Sequence, residues 1–186
     1  MTADTLSSAS ITALDIMTAG TGPIAIPTAG QGSPNVLYQV GDYVTPTTAG
    51  LADTGSKYKL IRLSPEVKVK SIELFVSAAI ETSTCLAIDL GAYYSDSTVD
   101  GTPAALQGTS ISVNAFGAIL TGLRSSFIGK IDGAPTWSAV NRNKRLWEAL
   151  GLSSNPGGNI DIVAAVHTAA TGAVSVALGV DIKFTK

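Results

Sequence analysis

The stretch Val174–Phe184 reads VSVALGVDIKF. Every even-numbered position in it is apolar, and small or charged residues fill the odd-numbered positions without a break. Successive side chains of a β-strand point to opposite faces, so this alternation predicts one strand over 174–184 with a single buried face. Such a strand needs both a sheet and a second layer to cover its apolar side.

Similar alternation, working outward from this stretch, predicts four more strands. They cover Tyr58–Leu63, Val67–Val76, Cys85–Ala92 and Ile160–Val166. In the second of them the apolar phase slips by one residue, which predicts a β-bulge near Lys70-Ser71. Residues 168–172 are expected to link the last two strands as a hairpin loop. Between 108 and 133 the pattern is weaker: 111–113 fits a short strand, and 115–123 fits either a helix or a strand.

One helix is predicted, over Ser138–Leu150. Ser138 can accept a free first-turn N–H, and Gly151 stands where a left-handed residue ends a helix. Val140, Trp147 and Leu150 share one stripe of this helix, with Leu146 beside it, and the basic side chains cover the solvent side.

These elements predict a mainly β fold, an antiparallel β-sandwich with one short helix at about 138–150. A jelly-roll variant is left open. The sandwich domain is expected to span residues 57–186.

The first 56 residues have a different composition. They are rich in Thr, Ala, Gly and Pro, contain no Lys or Arg, and their prolines bar a long helix. They are predicted to form an extended N-terminal arm, with a loop-rich start folded onto its own domain as the alternative. Isolated apolar side chains in such an arm need another surface to cover them. The candidate partner-binding residues are Ile24, Ile26, Val36, Leu37, Tyr38 and Tyr43.

Only 14% of the residues are charged, and the net charge is −2. This is typical of a protein that buries much of its surface against copies of itself or a partner. The single cysteine excludes an internal disulfide. The start of the sequence has no basic, apolar signal pattern, and no apolar run reaches membrane-span length. Synthesis and assembly in a reducing cytoplasm, with no membrane partner, are therefore expected.

Candidate catalytic chemistry is sparse. A nucleophile system would need an imidazole, and the one histidine, His167, is interpreted as an exposed strand-end residue. Cys85 is interpreted as an inert, at least half-buried thiol. The segment Asp96–Gly101 fits a polar turn better than a calcium loop. No catalytic, cofactor-binding or metal-binding residues are predicted, and the chain is expected not to be an enzyme.

Basic residues cluster on two predicted strands and on the helix. They are Lys57, Lys59, Arg62, Lys68, Lys70, Arg142, Lys144 and Arg145. A nucleic-acid interface would need a net basic domain and more aromatic residues. Solvated faces are the preferred interpretation, and salt bridges to an acidic partner surface are the second.

Several segments resemble a group of small virion structural proteins of tailed phages. They are YKLIRL at 58–63, VKSI at 69–72, DLGAY at 89–93, and NKRLWEALGL at 143–152 followed by Asn155-Pro156-Gly157. The similarity covers about residues 57–184, and the segment around Trp147 is its most distinctive part.

This resemblance implies a virion protein encoded near the major capsid protein. Some such proteins are cement or decoration subunits that clamp neighbouring capsomers and stabilise the shell. The expected partners are the major capsid protein and copies of the chain itself, as a dimer or trimer, and the expected location is the capsid surface. A tail or fibre module that binds host-surface carbohydrate is the alternative, with Trp137 and Tyr93-Tyr94 as its candidate sugar-binding residues. An S-layer-like module is the third.

Overall fold

The structure is a computed structural model that describes residues 5–8, 11, 36–82, 85–123, 129–132 and 137–186, with only the backbone for 129–132. Within these ranges the structure defines nine strands and three short helical segments. They are β1 (Thr5–Ser7), β2 (Tyr38–Val44), α1 (Thr48–Leu51), β3 (Lys57–Leu63), β4 (Lys68–Val76), β5 (Ala87–Tyr94), β6 (Ser110–Leu120), β7 (Gly129–Asp132), a 3-10 helix (Asn141–Asn143), α2 (Leu146–Ala149), β8 (Ile160–Thr168) and β9 (Leu178–Thr185).

The strands form two sheets that pack into a sandwich, as predicted from the alternation. The five-stranded sheet has the order β1-β3-β8-β5-β6, and the four-stranded sheet has the order β2-β9-β4-β7. All pairs are antiparallel except β1 with β3, which is parallel. The jelly-roll variant stays a prediction.

The five-stranded sheet is buried on both faces at its centre. Every residue from Ala87 to Tyr93 in β5 is buried, and so is every residue from Ile160 to Ala164 in β8. Strand β6 covers part of the outer face of this sheet. Its residues 113–116 bulge opposite Gly91 alone, and a Cβ on Gly91 would lie 2.4 Å from the Val113 carbonyl oxygen. Glycine at 91 is therefore what lets the backbone of β6 cross the outer face of β5.

The four-stranded sheet is buried on one face only. In β4 and β9 the side chains at Ile72, Leu74, Val180 and Ile182 point into the core, and their neighbours along each strand are half-buried or glycine. The predicted bulge near Lys70-Ser71 is confirmed by a register shift between Val69 and Ser71. It explains the phase slip, because one extra residue turns the following side chains to the other face.

The predicted hairpin at 168–172 is wrong. Strand β8 belongs to the five-stranded sheet and β9 to the four-stranded sheet, so this segment crosses between sheets. The last strand also begins at Leu178, not at Val174. The segment 115–123, left open as helix or strand, lies mostly in β6.

The predicted helix over 138–150 is two short pieces instead. The Ser138 hydroxyl accepts the Asn141 N–H at 3.4 Å, as expected of a cap, but Lys144 and Arg145 are extended. A tertiary contact causes this break in the helix. The Leu146 N–H donates a hydrogen bond of 2.7 Å to the carbonyl of Val67, which directly precedes strand β4. Such a contact replaces the intrahelical bond that a continuous helix would make there.

The predicted end of the helix at Gly151 is confirmed. Gly151 has a φ of 78°, and Leu152 N–H donates to the Trp147 carbonyl at 3.1 Å. This is the bond pattern of a Schellman motif. The buried residue of α2 is Leu146, whereas Val140, predicted for the apolar stripe, is 64% exposed.

The boundary predicted at residue 56 is not a boundary of the sandwich. Strand β2 pairs with β9 over seven residue pairs, and Leu51 of α1 is buried, with its carbonyl accepting the Ala170 N–H. Prolines excluded a long helix from this segment but not an edge strand. The arm predicted for the remainder falls mostly on residues outside those described.

Candidate interaction surface

Two basic residues of β3 are paired within the chain. Arg62 donates to both carboxylate oxygens of Asp161, at 2.7 and 3.0 Å, and these side chains are 3% and 1% exposed. Asp96, from the loop after β5, contacts both Arg62 and Lys59. The interpretation of Arg62 as part of a solvated face is therefore wrong. Sequence could not show this, because the partner carboxylates lie 34 and 99 residues away.

The pKa values of the two carboxylates in this cluster are shifted in opposite directions. Burial raises the pKa of Asp161 even against the attraction of Arg62. Burial also acts to raise the pKa of Asp96, but the hydrogen bond and charge of Lys59, with help from Arg62, hold that pKa below its ordinary value. The cluster connects β3, β8 and the loop after β5 on the outer face of the five-stranded sheet.

His167 lies exposed near the end of β8, as predicted, but its ring has a partner that the sequence did not indicate. Its Nδ1 lies 2.8 Å from Asp89 Oδ2, while Asp89 Oδ1 accepts the Ile119 N–H at 2.7 Å. Ile119 has a φ of 50°, unusual for a branched side chain. Asp89 thus fixes a strained turn of β6 against β5 as well as the histidine.

The other candidate chemical residues have structural contacts. Cys85 is half-buried, with its Sγ 3.7 Å from the Thr171 hydroxyl. The Asp100 carboxylate accepts N–H groups of Thr102 and Asn159, as in a polar turn. Within the described ranges, no cluster of three or more His, Cys, Asp or Glu side chains could hold a metal ion.

Trp137 is not a surface residue available to carbohydrate. It is 2% exposed, its indole N–H donates to the Val69 carbonyl at 2.9 Å, and its ring lies 4.7 Å from that of Phe116. It bridges the two sheets in the core. Tyr93 is buried as well, with the Lys57 ammonium 5.0 Å from the centre of its ring.

The candidate partner-binding residues divide into three groups. Ile24 and Ile26 lie outside the described residues. Val36, Leu37 and Tyr43 are exposed, Leu37 at 58% and Tyr43 at 56%. Tyr38 is half-buried and stacks on Phe184 at 5.6 Å. The structure therefore places Tyr43 in β2, at the edge of the four-stranded sheet, and Val36 and Leu37 immediately before this strand.

Strand β2 differs from the other sheet edges. It keeps one regular register over all seven of its residues, whereas β1 and β7 are short and β6 is broken by three register shifts. Short or bulged edges resist pairing with another chain, but a regular edge invites it. Among the described residues, β2 is thus the edge best suited to accept a partner strand.

The four-stranded sheet has a second feature near β2, at Gly179 of β9, a residue that the sequence analysis did not single out. Gly179 lies between Tyr43 of β2 and Phe75 of β4 in the sheet. A Cβ there would lie 2.3 Å from the tip of the Phe75 ring and 2.6 Å from the Asp42 carbonyl oxygen. The glycine lets the half-buried Phe75 ring lie across β9 towards exposed Tyr43. Only the strand register, a long-range property, brings these three residues together.

The fold defines the class of protein to which this chain is similar: β-sandwich chains found in phage capsids. One chain of the "Capsid of Ralstonia phage GP4" matches with a TM-score of 0.58 and 14% sequence identity, over 91% of this chain and 94% of that one. One chain of the "Cyanophage Pam1 capsid asymmetric unit" matches with a TM-score of 0.54 and 14% identity, over 89% and 94%. The predicted resemblance to phage virion proteins is confirmed at the level of the fold.

Sequence comparisons add no further relatives. No protein-family model matches the chain, and no curated protein matches it. Among the described residues, no helix is long and apolar enough to cross a membrane.

Proposed function

We propose that this chain is a non-enzymatic virion structural protein, a cement or decoration subunit that binds the assembled shell of the major capsid protein and stabilises it. It acts at the capsid surface, as a dimer or trimer. The observation that carries the proposal is the fold similarity to chains of two phage capsid assemblies, which extends over nearly the whole of this chain and of theirs.

The two faces of the molecule suit this role. A ligand that binds the assembled shell better than its free subunits stabilises the shell by mass action. Such a ligand needs a rigid body and an open surface. The doubly buried five-stranded sheet supplies the rigid body, and the outer face and β2 edge of the other sheet supply the open surface.

Strand addition at β2 is the proposed mode of contact. An extended segment of a capsid subunit can pair with the edge of Tyr38–Val44 that no described strand covers, while Leu37 and Tyr43 cover apolar groups beside it. The predicted N-terminal arm, with Ile24 and Ile26, would add a second tether to a neighbouring subunit.

The test begins with particles that lack the chain, assembled from the major capsid protein of the same phage. Recombinant chain is added, and co-sedimentation gives the number bound per capsid subunit. A fixed ratio to the major capsid protein, together with a higher melting temperature of the shell, is expected. Saturation at only a few copies per particle would instead fit a tail component, and absence of binding would overturn the proposal.

A further inference from the structure

One surface beside the β4 bulge is positively charged, although the chain as a whole has a net charge of −2. We call it the basic surface, and it consists of Lys68, Lys70, Arg142, Lys144 and Arg145. The chain has 12 basic and 14 acidic residues; five of the basic ones lie here, and Glu66 and Glu148 are the acidic ones in contact with them among the described residues. The rest of the chain therefore carries five more acidic than basic residues.

The contacts of the described residues hold this surface together. Lys70 Nζ donates to the Arg142 carbonyl at 2.8 Å and lies 3.4 Å from Asn143 Oδ1. Leu146 N–H donates to the Val67 carbonyl, which places the extended pair Lys144-Arg145 beside the start of β4 and Lys68. Residues from two distant parts of the sequence thus form one cationic surface.

Much of this charge has no acidic partner among the residues that the structure describes. Glu66 pairs with Arg145 at 3.2 Å and also accepts a hydrogen bond from Asn155, and the Glu148 carboxylate accepts the Arg145 backbone N–H. The ammonium groups of Lys68 and Lys144 have no hydrogen-bond or ion-pair partner among the described residues. Arg142 Nε is enclosed without an acceptor among the same residues.

The surface also has an apolar contact point. Val140, beside Arg142 and just before the 3-10 helix, is 64% exposed. Cations around an apolar side chain are suited to a protein surface that carries carboxylates around an apolar depression. The net negative charge and the scarcity of exposed aromatic residues are poorly suited to nucleic acid.

We propose that the basic surface docks onto an acidic patch of the capsid shell, so that charge attraction guides the chain to its site. The inference rests on the proposed function and specifies the chemistry of the partner. Charge complementarity of this kind acts mainly on the association rate and is weakened by salt.

Binding of the intact chain to assembled shells tests this, with three proteins compared at two salt concentrations. The variant Lys68→Glu/Lys144→Glu reverses two unpaired charges. The variant Lys57→Glu makes the same kind of change on β3 of the opposite sheet and serves as the control. Circular dichroism melts check that all three proteins are folded.

The double variant should associate about ten- to a hundred-fold more slowly than the parent at low salt, with the difference shrinking as salt rises. The control should stay within about threefold of the parent. A carbodiimide, which joins amines to carboxylates in direct contact, should link Lys144 to Asp or Glu residues of the shell.

The two proposals fail in different ways. If the parent does not bind shells, the proposed function is overturned and this inference falls with it. If the parent binds but the double variant associates equally fast, only the inference is overturned. Binding of duplex DNA at physiological salt that the double variant loses would overturn it too, in favour of a nucleic-acid partner.

Discussion

The two sheets of the sandwich are built from similar strands but expose very different surfaces. The central strands of the five-stranded sheet are buried on both faces, and their polar groups form internal pairs such as Arg62 with Asp161. The four-stranded sheet alternates buried and half-exposed residues and ends in the regular edge β2. The five-stranded sheet thus contributes mainly to the stability of the fold, whereas the four-stranded sheet leaves one face and one edge uncovered by any described element.

The largest loss of stability is expected where the two sheets are joined. Trp137→Ala should lower the free energy of unfolding by about 3–5 kcal/mol, because Trp137 is fully buried and contacts both Val69 and Phe116. Trp147→Ala, at a half-buried position on the surface segment, should cost clearly less. Urea unfolding of both variants measures the difference, and equal losses would show that Trp137 is not the central bridge.

Removing one charge from the five-stranded sheet should have nearly as large an effect. Arg62→Met leaves the Asp161 carboxylate buried without its partner, which costs about 3–5 kcal/mol. The double variant Arg62→Met/Asp161→Leu removes both charges and should recover most of that loss. Chemical denaturation of the parent and the two variants decides; if the double variant is no more stable than the single one, the pair is not the cause.

Adding one methyl group by a Gly→Ala substitution should affect stability differently in the two sheets. Gly91→Ala should destabilise the fold by about 1–3 kcal/mol, because the new Cβ meets the backbone of Val113, which cannot move alone. Gly179→Ala should also destabilise the fold, since its Cβ meets the Asp42 carbonyl oxygen at 2.6 Å as well as the tip of the Phe75 ring. It should cost less than Gly91→Ala, because three backbone atoms of Ser112 and Val113 crowd the Cβ at 91 and only one backbone atom crowds the Cβ at 179. Thermal melts of the two variants give the ranking, and the reverse order would contradict it.

A smaller effect on stability is expected from the protonation of Asp96 at low pH. The pKa of Asp96 is lowered in the folded state, so its stabilisation is present above the unfolded pKa of about 3.9 and is lost as pH falls through the folded value. Asp96→Asn should therefore be less stable than the parent at pH 7 by under about 1 kcal/mol, since the carboxylate is partly exposed to solvent.

Stability measured from pH 7 down to pH 3 checks the sign. The gap between parent and variant should close in acid as Asp96 becomes protonated. A gap that widened on acidification would refute the assigned direction.

The smallest change in stability is expected on the open sheet. Tyr43→Ser alters an exposed side chain and should shift the free energy of unfolding by no more than about 0.5 kcal/mol. It should nevertheless weaken binding to the shell, because Tyr43 stands beside the proposed docking edge. Melting and co-sedimentation of the same preparation separate the two properties, and unchanged binding would remove Tyr43 from the contact.

Local pattern was enough to predict most of the strands, the bulge near Lys70 and the left-handed Gly151, since each depends on neighbouring residues. Long-range information was needed for the rest. The split of the predicted helix depends on a hydrogen bond to Val67, and the assignment of β8 and β9 to different sheets depends on partners far away in sequence. Exposed Leu37 and Tyr43 were found as isolated apolar residues, but Phe75 and the basic surface required the register of the sheet.

The pairing of β2 with β9 also has a consequence for synthesis. Strand β9 lies between β2 and β4, so it is the strand that joins the two others. A ribosome makes Tyr38–Val44 first and Leu178–Thr185 more than a hundred residues later. Until then the apolar faces of β2 and β4 have no common neighbour in their sheet, and pairing across so long a loop is slow. The nascent chain thus depends on β9 to close the sheet, and a chain truncated before residue 178 cannot complete it.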